Sequence, residues 1–207
     1  MGKRAGQGRD VVTAWAFSLV FPFLLTAVLL QAIAAAWGVN LKSRAPALML
    51  VLIAACLVLV PVKGLPLGRW MISFNANFSI PLTAILFSRV VDRFFGIRVL
   101  DERAVSTCWF ISLTAGIVLY PMALGLTRWD PYAAGWGFSW LFVIAFAVTV
   151  ILLAVKNRFG IVLIAAILAY NLGFLESTNL WDYLVDPFLA VTACVGIGAK
   201  CRARSAE

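Results

Sequence analysis

Histidine is missing from all 207 residues. Its absence removes the commonest general base and the commonest metal ligand, and excludes any Ser–His dyad and any histidine-ligated haem or zinc. Charge is scarce as well. Only 13% of residues are Asp, Glu, Lys or Arg, and only nine are acidic, against about a quarter charged in a soluble domain. The four cysteines form no C-x-x-C pair, so neither a disulfide framework nor a zinc site is indicated. The phosphate-loop, G-x-S-x-G and H-E-x-x-H patterns are all missing. No catalytic residue, metal ligand or cofactor is therefore assigned.

Apolar residues are what the chain has in plenty, at 63% with a mean hydropathy of +0.99. A water-soluble core of this length has no room for so much apolar surface, which leaves lipid as the solvent. In lipid the backbone must satisfy its own hydrogen bonds, as helices or as a closed barrel. Barrel strands would alternate in polarity over about ten residues. The apolar runs here are instead continuous and about 20 residues long, the length of a spanning helix. The expectation is an all-α integral membrane protein, one polytopic domain over residues 1–207.

The first run, Val11 to Trp37, is far longer than the roughly 7–15 residues of a cleavable signal core, so it reads as a retained helix. Five further segments can span, at about 46–62, 105–126, 136–155, 159–175 and 180–199. Residues 71–91 are ambiguous, being interrupted by Asn75, Asn77, Pro81 and Arg89. If they do not cross, six helices result with both termini inside, and residues 71–91 form a re-entrant or interfacial helix. Fourteen of the 17 Lys and Arg then lie inside, leaving Lys42, Arg44 and Arg128 outside. If they do cross, seven helices result with the N-terminus outside, and the split is 11 to 6. The positive-inside rule favours six. The expected location is the inner (plasma) membrane of a bacterium, with the C-terminus cytoplasmic.

The net charge of +8 gathers at the ends of the apolar runs, and no basic face with interleaved aromatics suggests nucleic acid. The expected partners are the bilayer and either other membrane subunits or a second copy, packed through faces such as Ala34–Ala36, Ala165–Ala166, Gly196 and Gly198.

Candidate chemistry concentrates between Tyr170 and Pro187, which holds Glu176, Asp182 and Asp186 and no basic residue. In both topologies this stretch faces outward. Asp186 falls inside the expected last span, where a carboxylate costs up to about 3 kcal/mol and needs a partner or a proton. Pro187 disfavours helix at Asp186, so a kinked helix with an acid at the kink is one expectation. A structural role explains the same residues. Asn179 can cap the last helix with Asp182 in its first turn, and Asp186 can pair with Arg128 or hydrogen-bond Asn171. The candidate ligand-binding set is Asn171, Glu176, Asn179, Asp182, Asp186 and Arg128. Arg128-Trp129-Asp130-Pro131-Tyr132, with Trp136, Trp140, Trp181 and Tyr183, adds an outer aromatic rim of the kind found at membrane interfaces. On the inner side, Arg89, Arg93 and Arg98 are candidates to grip phosphate headgroups, because arginine's fork fits phosphate.

The functional expectation is a non-enzymatic membrane protein, a small transporter or an accessory subunit of an envelope or lipid-linked process. The alternative is a membrane enzyme acting on a lipid or lipid-linked substrate through its outer carboxylates.

Overall fold

The computed structural model describes residues 15–39, 44–126 and 129–205. The described residues are predominantly helical, and their one strand pair is a short hairpin. Among the described residues, two helices are long and apolar enough to cross a membrane: Trp15–Ala36, with a mean hydropathy of 2.3, and Glu102–Met122, with 1.5. Most of each is exposed, which a core helix of a soluble domain would not be. Ala45–Leu59, Trp140–Ala154 and Phe159–Asn171 are shorter apolar helices. The chain divides into two compact units.

The first unit holds residues 1–77, 83–99 and 174–176. Helix α1 (Val20–Ala36) packs against α2 (Arg44–Leu59). The contact uses small residues: Ala27, Ala47 and Ala54 are almost wholly buried, which lets two backbones approach closely. A tight hairpin follows, pairing Pro61 with Pro66 and Val62 with Leu65. Lys63 and Gly64 at its tip both have positive φ, as a two-residue hairpin turn requires. Helix α3 (Leu67–Ile72) begins at once and lies against both α1 and α2. Gly68 is required there, because a Cβ would come within 2.7 Å of the Val58 side chain.

Helix α4 (Ile80–Phe95) falls in the ambiguous segment, but starts nine residues later than 71. It is amphipathic, burying Ile80, Leu82, Ile85, Leu86 and Val90 while Phe87, Arg89 and Arg93 are exposed. Residues 78–82, its first turn included, belong to the second unit.

That second unit also holds residues 100–173 and 177–207. Its helices are α5 (Glu102–Ala123), α6 (Trp140–Ala154), α7 (Phe159–Asn171), α8 (Leu180–Leu184) and α9 (Pro187–Ser205), with a 3-10 turn at Pro131–Gly135. Asp101 caps α5 by accepting the Ala104 N–H at 2.8 Å, the usual side-chain cap. Along α5, Ala104, Cys108, Ser112 and Gly116 form a small-residue ridge at four-residue spacing, and α9 packs on it. Gly116 touches Ala190, and a Cβ on Gly196 would meet the Trp109 ring at 2.6 Å. The face expected to meet another subunit at Gly196 is thus used within the chain. Helices α6 and α7 form a tight pair, whose turn is held to α5 by Asn157 Nδ2 donating to Thr107 Oγ1 at 2.8 Å.

The last expected span, 180–199, is two helices and not one kinked helix. Val185 is fully extended (φ −148°, ψ 142°), and the chain restarts at Pro187, whose missing N–H suits a first helical position.

Candidate functional site

Two polar clusters stand in the second unit, one buried and one at its rim. Asp186, 2% exposed, is the centre of the first. Its Oδ1 accepts the Leu189 N–H at 2.9 Å, and its backbone carbonyl accepts the Ala190 N–H. Asp186 is therefore the N-cap of α9, with Pro187 at the first position and Leu189 at the third. Its Oδ2 accepts the Ser79 N–H at 2.8 Å. Ser79 in turn caps α4, its hydroxyl accepting from Leu82 N–H. One carboxylate thus joins the N-termini of two helices, each of which carries partial positive charge. The expected partners of Asp186 were Arg128 and Asn171. Arg128 lies outside the described residues, and Asn171 donates to Ile167 O in its own helix.

The rim cluster is built on Asn179, which is fully buried. Its Oδ1 caps α8 by accepting the Trp181 N–H, and its Nδ2 donates to the Tyr132 carbonyl, both at 3.0 Å. Trp181 Nε1 donates to the Pro131 carbonyl at 2.9 Å. Asp182 Oδ2 accepts the Tyr132 hydroxyl at 2.9 Å, and Asp130 Oδ1 accepts the Tyr132 N–H at 2.9 Å. Tyr132 is thus set between two carboxylates. Partial burial, the bond to Asp182 and these nearby negative charges push its hydroxyl up to about 12. Gly135 is obligatory beside this cluster, because a Cβ there would overlap the Asn179 side chain. Around it Trp129 stacks with Trp140 at 6.2 Å, and Tyr132 meets Trp136 edge-on at 6.0 Å.

A groove of about 440 Å³ opens below this rim, lined almost wholly by apolar atoms. Leu141, Ala145, Phe159, Leu163 and Val185 form its buried floor, while Phe110, Trp129, Trp140 and Ile144 form an exposed edge. Its lining hydroxyls are engaged locally, Thr114 donating to Phe110 O and Ser112 lying against Cys108.

The remaining candidates lie in the first unit. Glu176 pairs with Arg69 at 3.7 Å, and Arg69 also donates to the Ser18 hydroxyl at 3.1 Å. Arg89, Arg93 and Arg98 are all exposed at the end of α4, and Arg98 approaches Asp92 at 3.9 Å. The structure therefore gathers Asn179 and Asp182 in one cluster, centres Asp186 in another, and leaves Asn171, Glu176, Arg89, Arg93 and Arg98 elsewhere, Arg128 being outside the described residues. Sequence reasoning missed Ser79, although Ser79-Ile80-Pro81 carries a helix-start signal that could have found it. It placed Tyr132 in the aromatic rim, but its bond to Asp182, 50 residues away, has no local signal. No metal-ligating group of three or more His, Cys, Asp or Glu occurs among the described residues. Compared with protein-family models, with curated proteins and with solved structures, the chain finds no match in any of the three.

Proposed function

We propose that this chain is a multi-pass protein of a bacterial inner membrane that serves a lipid-linked process of the envelope as an accessory subunit or small transporter, not as an enzyme. The observation that carries this reading is how the carboxylates are used. Asp186 caps α9 and binds the Ser79 cap of α4, and Asp182 holds Tyr132 of the 3-10 turn. Acids committed to fold contacts are poorly suited to the proton shuttling that a lipid enzyme would ask of them. The groove beside them has walls that are almost wholly apolar, and its Thr114 hydroxyl is bonded within its own helix. Large apolar side chains at mid-helix, such as Phe110, Phe146, Ile151, Val191 and Val195, face outward, as they would toward acyl chains.

The contacts favour seven crossings with the N-terminus outside. In the first unit Phe17 meets Phe174, and Arg69 meets both Ser18 and Glu176. The start of α1, the start of α3 and the segment between α7 and α8 therefore share one membrane face. In the second unit the N-termini of α4 and α9 meet at Asp186, while Thr107, near the start of α5, meets the α6–α7 turn. A crossing α4 reconciles these pairings, and its 11 to 6 charge split still obeys the positive-inside rule. Helix α4 is short, about 24 Å at 1.5 Å per residue, and its exposed arginines mark the inner end.

Two measurements test this. The full chain should stay with the membrane through an alkaline wash and need detergent for extraction. A reporter fused after Leu67 should read as external. Extraction without detergent overturns the membrane reading, and an internal Leu67 reporter overturns the seven-crossing topology.

A further inference from the structure

We propose that the cations gathered round the first turn of α5 bind the phosphodiester of an anionic, amine-free phospholipid. The inference rests on the membrane reading above and names a ligand for that protein. Three elements supply the charge. Arg103, in the first turn of α5, donates to the Val155 carbonyl at 3.4 Å, which sets it against the α6–α7 turn that carries Lys156 and Arg158. Lys200, near the end of α9, donates to the Ser106 hydroxyl and lies over the Trp109 ring at 5.4 Å. Asn157 of the α6–α7 turn holds Thr107. At about 100° per residue, Ser106 and Thr107 flank Arg103 on either side within one arc of the helix. That arc therefore meets the end of α9 on one edge and the α6–α7 turn on the other, with Arg103 between them.

The charge there is unbalanced. Across the three elements and the tail, Arg103, Lys156, Arg158, Lys200, Arg202 and Arg204 stand against only Asp101, Glu102 and Glu207. Asp101 already gives an oxygen to the α5 cap. Arg103 and Lys200 are bonded to a carbonyl and a hydroxyl, and Lys156 and Arg202 have no ion pair among the described residues. All four are exposed. Helix dipoles account for cations at the ends of α6 and α9, but they disfavour Arg103 at the positive end of α5. The positive-inside rule asks for basic residues on one side, not for their convergence on one helix turn. An anion held between them meets both observations. The neighbouring surface names its source. One to three turns further into the same helices, Phe110, Val191 and Val195 are exposed. Cations bordering an exposed apolar band stand at the level of lipid headgroups, whose phosphate oxygens suit arginine's fork. A choline or ethanolamine headgroup brings a cation of its own and is repelled, which selects phosphatidylglycerol.

The test uses the full chain in nanodiscs of phosphatidylcholine carrying a trace of phosphatidylglycerol with a photoactivatable acyl chain, or of phosphatidylcholine labelled in the same way. The glycerol probe should label peptides covering 105–113 and 191–199 about five- to tenfold more than the choline probe. Unlabelled phosphatidylglycerol should compete, and inorganic phosphate at matched ionic strength should not. Arg103→Gln with Lys200→Gln should bring the two probes within about twofold of each other, while Arg103→Lys with Lys200→Arg keeps the preference. Lys63→Gln, which removes an exposed cation of the first unit, should change nothing. If the glutamine variant does not fold, the competition with the unaltered protein decides alone. Equal labelling by both probes, labels spread evenly over all the helices, or competition by inorganic phosphate each overturn the proposal. Those failures in a protein that still needs detergent leave the membrane reading standing. A protein that needs no detergent loses both.

Discussion

Replacing Asp186 should destabilise the fold more than replacing any other acid, by an amount that follows from its bonds to the two helix starts. In Asp186→Ala the α9 cap is lost, at about 1 kcal/mol. The Ser79 N–H is left buried without its acceptor, at about 1–3 kcal/mol. The carboxylate's attraction to two helix ends adds about 0.3–1 kcal/mol apiece. The total is roughly 3–6 kcal/mol, or a fall in Tm of roughly 6–24 °C for a chain of this size. Asp186→Asn keeps one acceptor oxygen and turns an N–H donor toward another donor, so about 1.5–3 kcal/mol should be lost. Asp182→Asn keeps an oxygen for the Tyr132 hydroxyl at a partly exposed site and should lose less than about 1 kcal/mol. Thermal unfolding of the three purified variants in one detergent should rank them Asp186→Ala, Asp186→Asn, Asp182→Asn, from least to most stable. In a knockout complementation Asp186→Asn should impair activity more than Asp182→Asn. An Asp186→Ala protein that melts within about 2 °C of the parent would refute the double-cap reasoning.

Three further outcomes are expected. Reporters fused after Ser177 and after Asn157 should read external and internal, and reversal of either discards the topology of the C-terminal half. Gly135→Ala should displace the Asn179 side chain and uncap α8, at about 2 kcal/mol or more; unchanged thermal stability would show that the 3-10 turn yields instead. The Tyr132 hydroxyl should ionise only near pH 12, read by ultraviolet difference absorption, and earlier in Asp182→Asn. Because its folded pKa is raised above the usual 10, the associated stability is intact below pH 10 and is lost as pH rises toward 12; ionisation at pH 10 in the folded protein would contradict the contact.

Sparse charge and long continuous apolar runs made the all-α class legible, because a run of that length without alternating polarity suits a helix and not a strand. The cap at Asn179 was legible too, since it depends on a residue two positions away. Asp186 was legible as an unusual acid but not as a double cap. Pro187 read as a kink when it is a helix start, and the second bond comes from Ser79, 107 residues away. For residues 71–91 the charge count favours six helices, and the contacts of Arg69 and Phe17 on which the seven-crossing proposal rests join residues more than 100 positions apart, beyond the reach of a charge count. The groove left no trace in the sequence at all. Its walls are ordinary helix residues, and the space between them exists only because α5 packs on α9 and α6 on α7. Solvent preference and caps are properties of neighbouring residues, which a sequence states directly. Cavities and distant hydrogen bonds belong to how helices meet, and only the tertiary structure decides that.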